Sequence, residues 1–151
     1  MPALSQEKLY TIDDIYNLKD GERAELVDGH IYYMSPPDTK HHRILNFINT
    51  EINIYIQKNN GGCDQSKIDN KGCDGAPGWI IEIISPATKK MDYYTKLSLY
   101  KDAGVREYWI VDPYKNTTIV YDMEHDEIPA VYPFTDNITV GICQGFFRGC
   151  K

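Results

Sequence analysis

The chain has 151 residues, 42% hydrophobic and 25% charged, which is the size and composition of one globular domain and excludes a disordered, fibrous or coiled-coil protein. No apolar run approaches the ~20 residues of a membrane span, and the N-terminus shows no secretory signal, so we expect a cytoplasmic protein with no membrane partner. The 16 Lys and Arg against 22 Asp and Glu give a net charge of −6. Any contact with nucleic acid must therefore come from a local basic patch or a bound cation.

The first half of the chain alternates helical and extended patterns. An acidic first turn after a threonine predicts a short helix over 11–19, and an Asp-Gly pair between two apolar runs predicts a hairpin of 24–27 with 31–34. Apolar residues at three- and four-residue steps predict an amphipathic helix over 38–58. Residues 63–77 show no periodicity, which predicts a loop.

The second half predicts a strand–helix–strand crossover. A continuous apolar run over 79–84 indicates a buried strand, 90–103 a helix ending at a glycine, and 107–111 a second buried strand paired with 117–121. Such a crossover is right-handed. We therefore predict an α/β domain with a small mixed sheet flanked by helices. Two later runs are expected to add edge strands, 128–134 and 138–142.

Glu82 is the most informative residue because it interrupts the apolar strand over 79–84. An ionised carboxylate buried without a partner costs several kcal/mol, so a partner must compensate its charge. One interpretation is a structural ion pair with Arg106 or a lysine. The other is a metal ligand or a catalytic acid, because perturbed carboxylates concentrate in active sites.

Lys96 is the second candidate, fourteen residues after Glu82 on the border of the apolar face of the predicted helix. Because that helix packs back against the preceding strand, we expect the ammonium to lie within hydrogen-bond or one-water reach of the Glu82 carboxylate. A lysine at a helix border is otherwise a solvated residue whose stem passes the core.

Two weaker candidates lie earlier in the chain. Glu25 is in the predicted hairpin, where strand alternation allows it to point inward, although a solvent-facing position fits equally well. The pair His41-His42 could suggest a metal, but adjacent helical residues face different directions, so we interpret both as surface residues.

Together these motifs resemble one family, the Uma-type restriction endonucleases of the PD-(D/E)XK nuclease superfamily. The resemblance covers one domain and is strongest over residues 10–121. It rests on segments that follow one another in the same order: 24–29 (Ala-Glu-Leu-Val-Asp-Gly), 34–37 (Met-Ser-Pro-Pro), 76–77 (Ala-Pro), 80–86 (Ile-Ile-Glu-Ile-Ile-Ser-Pro), 96–100 with Lys96, Leu97, Leu99 and Tyr100, and 103–113 (Ala-Gly-Val-Arg-Glu-Tyr-Trp-Ile-Val-Asp-Pro).

The resemblance implies a restriction-endonuclease-like α/β fold that hydrolyses phosphodiester bonds in DNA with a divalent metal, Mg²⁺ or Mn²⁺. It implies Glu82 and Lys96 as catalytic residues, with Lys96 in the place of a lysine that has migrated to the helix. It also implies Glu82 and, more weakly, Glu25 as metal ligands. Magnesium prefers such oxygen ligands, and a lysine can stabilise the developing oxyanion.

The chain departs from the family where a hairpin and a Pro-Asp strand normally precede the loop at 66–69. Here Gly61-Gly62 run directly into Cys63-Asp64. We therefore expect a sheet that lacks a central strand, a metal site without its main aspartate and an impaired endonuclease. An exposed sheet edge would favour a homodimer. The alternative is a catalytically inactive nuclease-fold remnant that acts as a nucleic-acid-binding or interaction module.

Overall fold

The computed structural model describes residues 8–59, 68–70, 72–142 and 145–147. The chain divides into two compact units, Met1–Pro36 and Pro37–Lys151. In the part of the chain that the structure describes, no helix is long and apolar enough to cross a membrane.

The N-terminal unit contains a short helix and the predicted hairpin. Helix α1 (Ile12–Tyr16) is shorter than the predicted 11–19, and strands β1 (Ala24–Val27) and β2 (His30–Tyr33) pair antiparallel. Asp28 and Gly29 join the strands with φ values of 48° and 77°, the left-handed pair that a two-residue hairpin loop requires. The Asp-Gly signal is thus confirmed.

The C-terminal unit contains two longer helical segments and eight strands among its described residues. In chain order these are α2 (Thr39–Asn59), β3 (Ile68–Asp69), β4 (Gly72–Cys73), β5 (Trp79–Ile83), a π-helical turn (Met91–Thr95) continuous with α3 (Lys96–Asp102), β6 (Glu107–Asp112), β7 (Thr117–Asp122), β8 (Ala130–Pro133), β9 (Ile138–Val140) and β10 (Gly145–Phe147).

The main sheet is mixed and has the strand order β5-β6-β7-β8. Strands β5 and β6 are parallel because the π-helical turn and α3 connect them as a crossover, while β6, β7 and β8 pair antiparallel in sequence. The predicted crossover, its hairpin and the α/β class are confirmed. Among the described strands, β5 has a single neighbour, β6.

Two short ladders differ from the predictions. Residues 63–77 were expected to be a loop, but β3 and β4 pair within this segment, because a two-residue ladder is too short to produce a hydrophobic period. The run 138–142 was expected to extend the main sheet. Instead β9 pairs with β10 in a separate ladder.

Strand β6 is the centre of the core, and each of its six residues is buried. Its side chains alternate between two faces. Trp109 and Val111 pack on Ile44 and Ile48 of α2, whereas Tyr108 and Ile110 pack on the crossover helix with residues that include Ile84, Tyr93, Leu97 and Tyr100. Helices therefore cover both faces of the sheet, and the crossover helix is held against the strand that carries Glu82.

Candidate active site

Glu82 and Lys96 meet between β5 and α3. Glu82 is the fourth of the five residues of β5 and lies opposite Ile110 of β6, and Lys96 is the first residue of α3. The Lys96 Nζ lies 3.0 Å from the Glu82 Oε1. The predicted proximity is confirmed, and Lys96 is more deeply placed than a helix-border residue, with only 4% of its surface exposed.

Tyr100 completes the surroundings of Glu82. One turn after Lys96, its hydroxyl donates a hydrogen bond of 2.8 Å to the same oxygen, Oε1. Burial raises the pKa of the Glu82 carboxyl above its ordinary value, opposed by the Lys96 ammonium and the Tyr100 hydroxyl and reinforced by the charge of Asp92. The side chain remains 23% exposed, so Glu82 is a partly accessible carboxylate with an elevated proton affinity.

Asp92 is the site residue that the sequence analysis missed. Its Oδ1 lies 2.9 Å from the Lys96 Nζ, and the residue is 1% exposed. The Tyr108 hydroxyl donates to its backbone carbonyl, which fixes this turn against β6. The available signal was the four-residue spacing between an acid and a lysine, which places both on one helix face.

The π-helical turn gives the crossover helix two different sides. Such a turn holds one residue more than an α-helical turn, and π-turns are frequent at functional sites. Within Met91–Thr95 the side chain of Asp92 is buried, while Tyr94 is 72% exposed. The inward side therefore supplies Asp92 and Lys96, and the outward side carries Tyr94.

His41 is not the surface residue that we expected. Its Nε2 lies 3.1 Å from the carbonyl oxygen of Ile83, and a carbonyl only accepts, so this nitrogen carries the proton. Its Nδ1 is buried and has no hydrogen-bond partner among the described residues. His41 thus joins the start of α2 to the end of β5, whereas His42 is exposed as predicted.

Arg106 and Glu25 are the other charged residues that the sequence suggested for the site. Arg106, one suggested partner of Glu82, instead lies 4.0 Å from Glu124 on the surface. Glu25 is half-buried on β1 of the N-terminal unit, opposite Tyr32, and its role as a metal ligand stays a prediction. The chain also contains a Pro-Asp pair at 37–38, but this pair is not part of a strand, and Asp38 accepts the His41 backbone N–H at the start of α2.

Replacing Tyr100 with phenylalanine should raise the pKa of Glu82 further. The hydroxyl stabilises the ionised carboxylate, so its removal favours the protonated form. An NMR titration of the side-chain carboxyl carbons would measure the shift. A Tyr121→Phe variant is the matched control, since it removes the hydroxyl of another half-buried tyrosine that packs on the same core cluster. A Glu82 titration that Tyr100→Phe leaves unchanged would contradict the assigned hydrogen bond.

The described side chains do not by themselves fit a resident magnesium ion. Magnesium demands near-octahedral oxygen coordination and takes one or two carboxylates. Among the described residues, no three His, Cys, Asp or Glu side chains are placed to share a metal ion. Glu82 is partly exposed, but its Oε1 already accepts from Lys96 and Tyr100, and Asp92 is enclosed behind Lys96. The site therefore offers one carboxylate oxygen, the Glu82 Oε2.

The fold is similar to that of a putative nuclease. The structure is similar to the crystal structure of a putative nuclease of the DUF820 family from Anabaena variabilis, with a TM-score of 0.67, 20% sequence identity and coverage of 87% of this chain and 89% of that one. The Uma2 family, described as "Putative restriction endonuclease", matches residues 62–146, which is more than half of the chain. The chain belongs to this family, as its motifs suggested. No functionally curated protein matches it.

Proposed function

We propose that this chain is a DNA endonuclease by descent, of the magnesium-dependent kind, whose phosphodiester hydrolysis is impaired. The observation that carries the proposal is the charge balance at Lys96, where one ammonium lies 3.0 Å from Glu82 and 2.9 Å from Asp92. The family supplies the nuclease class, and this arrangement supports the impairment.

The lysine of such a site acts by stabilising negative charge that develops on a phosphate. Here the positive charge of Lys96 is already compensated by two carboxylates, and its side chain is 5% exposed. An incoming phosphate would have to compete with Glu82 and Asp92 for the ammonium. Electrostatic stabilisation of the transition state is therefore weak.

The capacity of Glu82 to bind a metal ion is also limited. Glu82 is the one partly exposed carboxylate of the pair, and burial raises its pKa, so it holds a proton more tightly than an ordinary glutamate. Because a metal ligand must be deprotonated, this higher proton affinity opposes the binding of a hard cation. A metal held by one carboxylate oxygen also leaves the attacking water poorly positioned, and a misplacement of about 1 Å can cost about 100-fold in rate.

The purified protein should therefore fail to nick supercoiled plasmid DNA in magnesium or manganese. Conversion to open-circular DNA, followed on agarose gels, should be the same for the wild type and for Glu82→Gln. Nicking by the wild type that Glu82→Gln abolishes would contradict the impairment and establish the endonuclease. Nicking that survives in both proteins would indicate a contaminant and calls for repurification before the comparison.

A second candidate function is a nucleic-acid-binding module without cleavage. The observation that favours it is a surface pocket with three lysines and two tyrosines on a protein of net charge −6. Both candidates leave the plasmid intact in magnesium, and only the binding module requires the protein to retain DNA in a chelator.

A further inference from the structure

An open pocket of about 460 Å³ lies at the start of the crossover helix, beside the turn that joins β6 to β7. We call it the basic–aromatic pocket. Its lining consists of Pro86, Lys89, Lys90, Tyr93, Tyr94 and Lys115. It belongs to the outward side of the helix, and the Glu82–Lys96 pair belongs to the inward side.

The pocket carries positive charge that nearby acids leave available. Lys89 and Lys90 are exposed, and neither ammonium forms an ion pair with a carboxylate among the described residues. The Lys115 Nζ lies 5.8 Å from the centre of the Tyr93 ring, a cation–π distance. Three lysines therefore provide a local basic surface of the kind that an acidic protein needs to hold a phosphate.

Asp112 is the acid closest in sequence to Lys115, and its charge is directed inward. The carboxylate is fully buried and accepts the Tyr93 hydroxyl at 3.2 Å. Its other oxygen accepts the backbone N–H groups of Tyr114 and Lys115. Asp112 thus orients the Tyr93 ring and the lysine-bearing turn.

The aromatic part of the pocket is Tyr94. It is 72% exposed, and its ring lies 6.5 Å from that of Tyr93 at a tilt of 46°. The core cluster on this face of the sheet includes Tyr93, so the helix packs through Tyr93 and leaves Tyr94 free to contact a ligand. An exposed aromatic ring beside unpaired lysines is the combination by which proteins hold single-stranded nucleic acid.

We propose that the basic–aromatic pocket binds a nucleotide unit of single-stranded nucleic acid, with the lysines contacting its phosphates and Tyr94 stacking on an unpaired base. A base within a duplex is stacked on its neighbours, so it has no face to offer Tyr94. The inference deepens the proposed function and rests on nucleic acid being the ligand. The part of the substrate that the crossover helix contacts would be a segment of nucleic acid whose bases are unpaired.

The test is binding of a fluorescein-labelled 12-nucleotide oligothymidine, measured by fluorescence anisotropy in EDTA so that no cleavage intervenes. We expect oligothymidine to bind more tightly than a labelled duplex of the same length. Tyr94→Leu should weaken its binding about tenfold, and Tyr94→Trp should retain it, since base stacking needs the aromatic face. The double variant Lys89→Gln/Lys90→Gln should flatten the log–log salt dependence by about 1.4, the value for two lost phosphate contacts on a single strand.

Two variants are matched controls because they change exposed residues that do not line the pocket. Tyr33→Leu alters a tyrosine that is 67% exposed, and Lys101→Gln alters a lysine whose side chain is 53% exposed. Both should bind oligothymidine like the wild type. Binding that Tyr94→Leu leaves unchanged, or duplex binding as tight as that of oligothymidine, would overturn the inference.

The outcomes separate this inference from the proposed function. A protein that binds oligothymidine through Tyr94 but never nicks plasmid supports the pocket, whatever becomes of catalysis. A protein that nicks plasmid through Glu82 while Tyr94→Leu binds and cleaves normally refutes the pocket alone. Polyglutamate could displace oligothymidine while the Tyr94→Leu substitution leaves oligothymidine binding unchanged. That result would assign the pocket to an anionic polypeptide and overturn the proposal.

Discussion

Replacing Lys96 with methionine should lower the free energy of unfolding by about 3–5 kcal/mol at neutral pH, the usual effect of removing one partner of a buried ion pair. Methionine fills a similar volume, so the loss is electrostatic. Glu82 and Asp92 would face each other without a cation, and Asp92 is 1% exposed. Urea denaturation followed by circular dichroism would measure the change.

The pH dependence identifies the cause. Burial raises the pKa of Glu82 in the folded state above its ordinary 4.5, and removal of Lys96 raises it further. A carboxyl with a raised folded-state pKa stabilises the fold when protonated, and that contribution is lost as the pH rises through the folded-state pKa. The deficit of Lys96→Met should therefore be small below about pH 4.5 and should grow toward neutrality.

Two further variants keep the prediction falsifiable if Lys96→Met does not fold. The triple variant Glu82→Gln/Asp92→Asn/Lys96→Met removes all three charges and should recover most of the stability. Lys101→Met breaks an exposed pair with Asp126 and should cost less than about 1 kcal/mol. A Lys96→Met protein as stable as Lys101→Met would show that the two carboxylates do not depend on the lysine.

Replacing Trp109 with alanine should lower the free energy of unfolding by about 3–5 kcal/mol, the cost of removing a large aromatic residue from a packed core. Trp109 is 1% exposed, and its ring centre lies 4.9 Å from that of Trp79 in an edge-to-face contact. Its indole N–H donates to Glu107 at 2.6 Å, so the variant also removes one hydrogen bond to a buried carboxylate and leaves the one from the Ile142 backbone N–H.

Thermal and urea denaturation of graded variants would check this effect. Trp109→Phe keeps an aromatic ring in the core and should lose clearly less stability than Trp109→Ala. Val131→Ala removes apolar atoms from a side chain that is 62% exposed and should stay within about 0.5 kcal/mol of the wild type. If Trp109→Ala were as mild as Val131→Ala, the assigned centre of the core would be wrong.

The crossover could be predicted because its signals are local. Continuous apolar runs define β5 and β6, and Gly104, with a φ of 89°, ends the helix between them in the left-handed conformation that glycine favours. The meeting of Glu82 with Lys96 could be predicted from the strand–helix–strand order together with the position of Lys96 at the border of the apolar helix face.

The positions of Asp92 and His41 could not be predicted, because they depend on helical phase and on contacts between residues distant in sequence. A regular 3.6-residue period does not anticipate a π-turn, and the burial of Asp92 beside Lys96 depends on packing against other elements rather than on its four-residue spacing. His41 looked solvent-exposed because its hydrogen bond reaches across the chain to the carbonyl of Ile83. Such a contact leaves no trace in the residues next to it.

The number of residues in the π-turn at Met91–Thr95 also fixes the angle between the side chains before it and those after it. Each residue of an α-helix advances the side chains by about 100°. Deleting one residue from the turn would restore a uniform α-helix. The helical residues before the turn would then rotate by about 100° relative to Lys96. Lys89 and Lys90 would then swing away from Lys115 while Lys96 stayed against Glu82. The length of this helix therefore links the orientation of Lys96 to that of the pocket lysines. An insertion or deletion in the turn during evolution would misalign one of the two sides.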